Sequence, residues 1–260
     1  MRHSDHDNGQ DAGQHNARLD RIRKLLAQAE SPACTEAEAA TFNAKAAELM
    51  ARYGVDEALL AQTAPGRDVV GDRIIDLHAP YAREKGTLGA RVAAGLRCRS
   101  ALRTVPTVVD GSARNKRSLH LFGHEGDLRL VEMLYTSLLV QGTRDVVRAP
   151  VPPWEGAAAY RRTWWLGFAD AIGHRLADAE RAAARAAEPE FAERGTSAAV
   201  VLADRATLAE HALQEAYPRL RAAAPRWLSG SGHDQGYASG QRADLGRDGR
   251  LAGARRALSR

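Results

Sequence analysis

The sequence predicts an α+β protein, predominantly helical, in which an N-terminal helical hairpin precedes a larger part with a small antiparallel sheet packed by long helices. Three observations lead there. Apolar residues recur at helical spacing through 19–29, 39–53, 128–138 and 164–176. The runs 73–77 and 97–123 carry β-branched residues or strict alternation instead. A length of 260 residues with 44% apolar content allows a substantial core. The expected organisation is a polar disordered arm over 1–16, the hairpin over 17–62, a linker over 63–71, an α+β domain over 72–228 and a Gly/Arg-rich C-terminal segment over 229–260.

In the hairpin, Leu19, Ile22, Leu25, Leu26 and Ala29 form one stripe, with Arg21, Arg23 and Lys24 turned away from it. Ser31-Pro32 stops this helix, because proline disfavours helical geometry in the residue before it. Thr35 with Glu38 has the form of a capping box. Ala39, Phe42, Ala46, Leu49, Met50 and Tyr53 line the second helix, Gly54 is placed to end it, and Asp56 to cap a short third helix, "DEALLAQ".

These residues carry a resemblance. "RIRKLLAQAES" followed by "EAEAATFNAKAAELMARYGVDE", about residues 18 to 58, resembles a bacterial and phage domain of unknown function. That family's signature is a Lys-Leu-Leu-Ala helix, then Glu-Ala-Glu, then Glu-Leu-Met-x-Lys-Tyr-Gly-Ile. Its members commonly have His or Asn where this chain has Thr35. The layout of the following segment is also loosely similar to the one that often follows this hairpin. The resemblance implies a helical hairpin and no defined activity. Glu36 and Glu38 at the start of the second helix oppose a DNA-reading role, since phosphates would have to approach there. A hairpin of this size also buries too little to stand alone, so its stripe must dock on the chain or on a partner.

Beyond Pro65-Gly66, "RIIDL" (73–77) reads as a strand and 82–96 as a helix weakened by three glycines. Residues 97–123 read as a β-hairpin turning at Asp110-Gly111, with Cys98, Ser100 and Leu102 alternating against Arg97, Arg99 and Arg103. Residues 124–148 form an amphipathic helix, and Glu125 and Asp127 in its first turn suit the helix dipole. After the loop "APVPPWEG" comes a long helix over 157–188, with Trp164, Phe168, Ile172 and Leu176 as its buried stripe. "SAAVVLA" (197–203) reads as a strand and "RATLAEHALQEAYP" as a helix. Gly232, Gly236 and Gly240, four apart, make a flat helix face that permits close backbone packing.

No run approaches the roughly 18 apolar residues of a membrane span. The polar N-terminus lacks a secretory signal, which leads us to expect a cytoplasmic protein. Cys34 and Cys98 fit neither a disulfide framework nor a metal knuckle, and both are expected to be reduced thiols. The net charge of +5 is unevenly placed: residues 216–260 hold nine Arg and three Asp, a net +6, leaving the rest of the chain at −1.

The candidate nucleic-acid-binding residues are therefore Arg97, Arg99, Arg103, Arg114, Lys116 and Arg117 on the β-hairpin, with Arg242, Arg255 and Arg256 in the C-terminal segment. A two-stranded ribbon with a cationic outer face can follow phosphates or enter a major groove. The other chemistry-bearing group is His124, Asp127, Asp170 and His174, read as a possible metal shell. Leu128 stands four after His124, where a zinc-protease helix needs its second His. No nucleophile elbow, P-loop or dinucleotide fingerprint occurs, and no motif calls for a cofactor. The resulting expectation is a non-catalytic binding or regulatory protein that contacts DNA or RNA through the basic hairpin and the Arg-rich tail. Two alternatives stay open: a metal-dependent hydrolase built on those four residues, and an adaptor whose N-terminal hairpin docks another protein.

Overall fold

The computed structural model describes residues 17, 19–28, 45–46, 48–58, 69–109, 112–221 and 228–243. Two hairpin helices come first, α1 described over 19–28 and α2 over 48–58. Then follow β1 (Val70–Leu77), α3 (Ala82–Gly95), β2 (Arg99–Val109), β3 (Ser112–His124), α4 (Glu125–Arg148), α5 (Ala157–Glu193), α6 (Ala198–Ala216) and α7 (His233–Arg242). The fold is α+β and predominantly helical.

β3 lies in the middle of an antiparallel three-stranded sheet of order β1-β3-β2. It holds the centre because it is apolar on both faces: Leu119 and Leu121 point to one side, Phe122 to the other, and all three are buried. Pro106 of β2 is tolerated because that strand is an edge. α3 covers the Leu119 face at close range. A methyl added at Gly89 would stand 2.6 Å from Leu119 Cδ2, and one at Gly86 would stand 2.9 Å from Leu77 Cδ1. The glycines that lower this helix's intrinsic propensity are thus its points of approach to the sheet. α6 covers the opposite face, where Ala101 and Phe122 pack with Leu213 and, at the margin, Tyr217.

The stripe of α5 is buried as its spacing predicts, with Trp164 and Phe168 stacked 5.2 Å apart. Leu19, Ile22, Leu26, Ala46, Met50 and Tyr53 join the same apolar core as Leu128, Leu134 and Trp164. The described part of the hairpin's stripe is therefore used within the chain. Val55 and Ala58 extend this docking to Phe191, Ala198 and Leu202.

Several expectations are corrected. Residues 198–203 are the start of α6 and not a strand. The adjacent Val200 and Val201 imitate a β run, but the buried positions Ala198, Leu202, Arg205, Ala209 and Leu213 have helical spacing. α5 does not end before Pro189; it continues to Glu193, its last turn held by the buried Phe191. Gly54 does not end α2, which runs through it, so Asp56 lies inside the helix and opens no third one. Val70 and Gly71 belong to β1 and not to a linker. The arm at 1–16, the Ser31-Pro32 stop, the Thr35–Glu38 cap, linker residues 63–68 and the Asp110-Gly111 turn lie outside the described residues. Among the described residues no helix is long and apolar enough to cross a membrane.

Candidate functional site

Where α2, α3, α4, α5 and α6 meet, the core holds a cluster of ions. Arg97 sits at the end of α3, at the position after the C-cap, with φ 62. The Cys98 N–H donates to the Ala93 carbonyl at 2.8 Å, a six-to-one closure that ordinarily takes glycine at Arg97's place. Arginine holds this left-handed conformation because its side chain is anchored. Its Nη2 donates to Asp127 Oδ1 at 2.6 Å, and its Nη1 stands 3.1 Å from Glu180 Oε1. The other Asp127 oxygen, Oδ2, accepts from Arg205 Nη2 at 3.0 Å. Arg97, Asp127 and Arg205 are all buried. The hairpin closes one side. Gly54 lies directly against the Arg97 guanidinium, and Tyr53 packs on Gly126, where an added methyl would come within 3.1 Å of its ring.

Charge is retained here in spite of burial. Burial works against the Arg97 cation, but Asp127 and Glu180 outweigh it and leave the group above its ordinary range. Burial lowers Arg205 to about 10, so it still carries its proton at neutral pH, with Glu57 of the hairpin supporting the charge. Burial raises the Glu180 carboxyl, against the pull of Arg97. His124 is pushed down, first by burial and further by Arg97, while Asp127 draws the other way. Burial likewise pushes up the Cys98 thiol, which is packed against Gly123 just ahead of β2. That makes it an inert core thiol.

This cluster divides the residues chosen for phosphate contact. Arg97 is turned into the core and reaches no external ligand, a correction to its expected place on the outer face. The strand begins at Arg99, and Arg97 belongs to the helix end before it. Arg99 pairs with Glu210 of α6 at 2.8 Å, and Lys116 with Asp76 of β1 at 2.9 Å. The root of the ribbon thus carries counter-charges from β1 and α6. Arg103 and Arg117 have no acidic partner among the described residues. Arg114 lies within β3, opposite Thr107 in the register. Arg242 is exposed on α7, which packs on α5 and α4 rather than on the sheet. Arg255 and Arg256 lie outside the described residues.

The ribbon itself projects. β1 stops at Leu77, opposite Arg117, while β2 and β3 stay paired from Thr104–Arg117 to Val109–Ser112. The five pairs past Thr104–Arg117 extend about 16 Å beyond the third strand at roughly 3.3 Å per residue. At the base, His120 Nε2 meets Asp72 at 2.8 Å and its Nδ1 meets the Tyr217 hydroxyl at 2.6 Å.

The four residues read as a metal shell are not brought together. His124 and Asp127 are buried at the start of α4, and both Asp127 oxygens are held by arginines. Asp170 pairs with Arg91 at 2.8 Å and His233 at 3.3 Å, and His174 meets the Tyr237 hydroxyl at 3.2 Å. Asp170 is ten residues from Glu180 along α5, about 15 Å at 1.5 Å per residue. Glu180 is the residue of that helix that reaches the Asp127 cluster. Among the described residues no group of three or more His, Cys, Asp or Glu stands close enough to hold a metal.

Sequence reasoning missed Glu180, Arg205 and the role of Gly54. A signal existed for two of them. Glu180 continues the stripe Ile172–Leu176 by one more turn, and Arg205 sits in the stripe of α6, so each is a charge at a core position.

Fold and site together define a predominantly helical α+β protein whose N-terminal hairpin is keyed to its body over a buried ion cluster and whose sheet extends into a basic ribbon. Residues 18–57 match a family described as "Protein of unknown function (DUF2786)". No curated protein matches the chain, and no solved structure does.

Proposed function

We propose that this chain is a non-catalytic cytoplasmic protein that binds nucleic acid through the projecting β2–β3 ribbon. One observation carries the reading: the ribbon leaves the body of the protein as two strands only, with Arg103 and Arg117 near its root and neither of them in an ion pair among the described residues. Cations held on a rigid pair of strands attract a polyphosphate by releasing its counterions, and this attraction needs no catalytic group. Arg114 adds to the ribbon, and Arg242, Arg255 and Arg256 belong to the reading as a second, separate source of charge.

The test is a titration of fluorescent DNA and RNA with the full chain at about 50 and 200 mM salt. Binding at the lower salt that falls steeply at the higher, and that weakens in Arg103→Ala/Arg117→Ala, supports the proposal. A protein that ignores both nucleic acids in dilute buffer ends it. The adaptor alternative gains nothing from the described part of the hairpin's apolar stripe, which the chain's own core already covers.

A further inference from the structure

The segment after α6 adds a second cationic element at the root of the ribbon. Tyr217 fixes it there: its hydroxyl bonds His120 at 2.6 Å, and its ring meets His120 and Phe122 edge-on at 5.5 and 6.0 Å. A turn then closes with the Leu220 N–H donating to the Tyr217 carbonyl at 3.0 Å. Arg219 and Arg221 are thereby held at the surface, exposed and without acidic partners among the described residues. They begin two residues from a side chain pinned to the sheet. In the register His120 lies opposite Ala101, and two residues further along the strands Ser118 lies opposite Arg103, on the same face. Three of the acids around this root are engaged, Asp72 by His120, Asp76 by Lys116 and Glu210 by Arg99, while Glu215 in the last turn of α6 is exposed.

The ribbon's composition bears on the form of nucleic acid. Proteins that hold single strands stack successive bases on aromatic side chains. From Arg103 to Arg117 the sequence contains no Phe, Tyr or Trp. Thr104, Thr107 and Asn115 supply short polar groups instead, and a two-stranded ribbon is narrow enough for a major groove about 12 Å wide. Tyr217, the aromatic residue at the root, has its ring packed against the sheet. The exposed Trp154, 86% accessible, lies on the loop before α5 and not on the ribbon.

Resting on the nucleic-acid reading above, we infer that the ligand is a double helix, held by the ribbon together with Arg219 and Arg221. The ribbon addresses a groove while the two arginines bind flanking phosphates and set register without reading sequence.

The experiment compares a duplex of about two helical turns with its separated strand, by anisotropy across a salt series. The proteins are the wild type, Arg219→Ala/Arg221→Ala and Arg185→Ala, the last an exposed arginine on α5, a helix that does not pack on the sheet. The expected result is duplex binding at least tenfold tighter than the strand. The log–log salt slope should fall by about 1.8 in the double variant, close to 0.9 per lost phosphate contact, and stay unchanged in Arg185→Ala. Thermal melts check that the double variant is folded, as expected for two exposed side chains in a turn. Equal or tighter binding of the single strand, with quenching of Trp154 fluorescence, overturns the inference and leaves the broader reading standing. Duplex binding with an unchanged slope in the double variant also overturns it. Binding of neither form removes the broader reading as well.

Discussion

The guanidinium of Arg97 lies across the backbone of Gly54, so close that a methyl built on the glycine would stand 1.9 Å from Nη2 and 2.3 Å from Cζ. An exposed arginine would swing aside. This one is held by Asp127 and Glu180 and has no open direction to move in. The Tyr-Gly step of the hairpin thus does not mark a helix end here; it is the seat for a cation from the following part of the chain. Gly54→Ala should destabilise the protein by about 1–3 kcal/mol, although alanine is the better helix former. In an Arg97→Ala background the same change should be close to neutral or favourable. A double-mutant cycle by urea denaturation reads the coupling, and simple additivity would show that the contact carries no energy.

Asp127 stands between two buried arginines and accepts from both. Asp127→Asn keeps the size of the side chain but leaves two positive charges with Glu180 and Glu57 as their nearest compensation. The expected loss is about 3–5 kcal/mol, the range for removing one partner of a buried pair. Arg205→Met should cost less, because it removes a buried charge along with its bond and leaves Asp127 paired with Arg97. Calorimetric melts of the two variants give the order. A milder effect of Asp127→Asn than of Arg205→Met would contradict this account.

Much of the fold was legible from the chain alone because long periodic segments repeat one signal many times. The α5 stripe from Trp164 to Leu176 and the alternation along β2 and β3 are of this kind. Misreadings came where one local cue competed with a tertiary contact. Val200-Val201 looks extended in isolation, yet Ala198, Leu202 and Leu213 bury one helical face against the hairpin and the sheet. The long helix is expected over 157–188, but the buried Phe191 holds another turn past Pro189. Arg97 was placed by alternation on the outer face, and nothing in the local sequence says that its phase belongs to a helix terminus. The basic ribbon was readable as a pattern. The pairing of Lys116 with Asp76 and of Arg99 with Glu210 was not, because those partners are far away in sequence.

His124 gives the cluster a pH dependence with a definite sign. Its folded form is held below the ordinary value of about 6.5, by burial and then by Arg97. Below pH 6.5 the unfolded chain therefore binds a proton that the native His124 resists. Native stability falls as pH drops through that window and is restored as pH rises above it. Glu180 contributes with the reverse sign, since its folded carboxyl is raised and it favours the native state only while protonated. The measurement is the slope of unfolding free energy against pH between 6.5 and 5, in wild type and His124→Gln. The variant should lose less stability across the window than the wild type, whatever its absolute stability. Parallel slopes would mean that His124 titrates alike in both states.

The crossing of α7 over α5 depends on missing side chains, as the four-residue glycine spacing predicts. A Cβ at Gly236 would lie 1.9 Å from the Trp164 carbonyl oxygen, and one at Gly240 would lie 2.8 Å from that of Phe168. Gly167 repeats the condition from the α5 side, 1.9 Å from the His233 carbonyl oxygen. The obstacles are backbone atoms, joined at Gly240 by the Cβ of Ala171 at 2.7 Å, and no rotamer change can relieve them. Gly236→Ala should therefore lift α7 and break the bonds that fasten it, Ser239 to Asp145 at 2.8 Å and Arg175 to the Gly240 carbonyl at 2.8 Å. Gly156→Ser is the matching control. Nothing lies within 4 Å of its new Cβ, and serine suits the N-cap position it would occupy. Limited proteolysis should cut near residues 228–243 much faster in Gly236→Ala than in wild type, with Gly156→Ser unchanged. Equal protection in all three would mean that the backbones can separate slightly without loss of the contact, and that close approach is not what holds this helix.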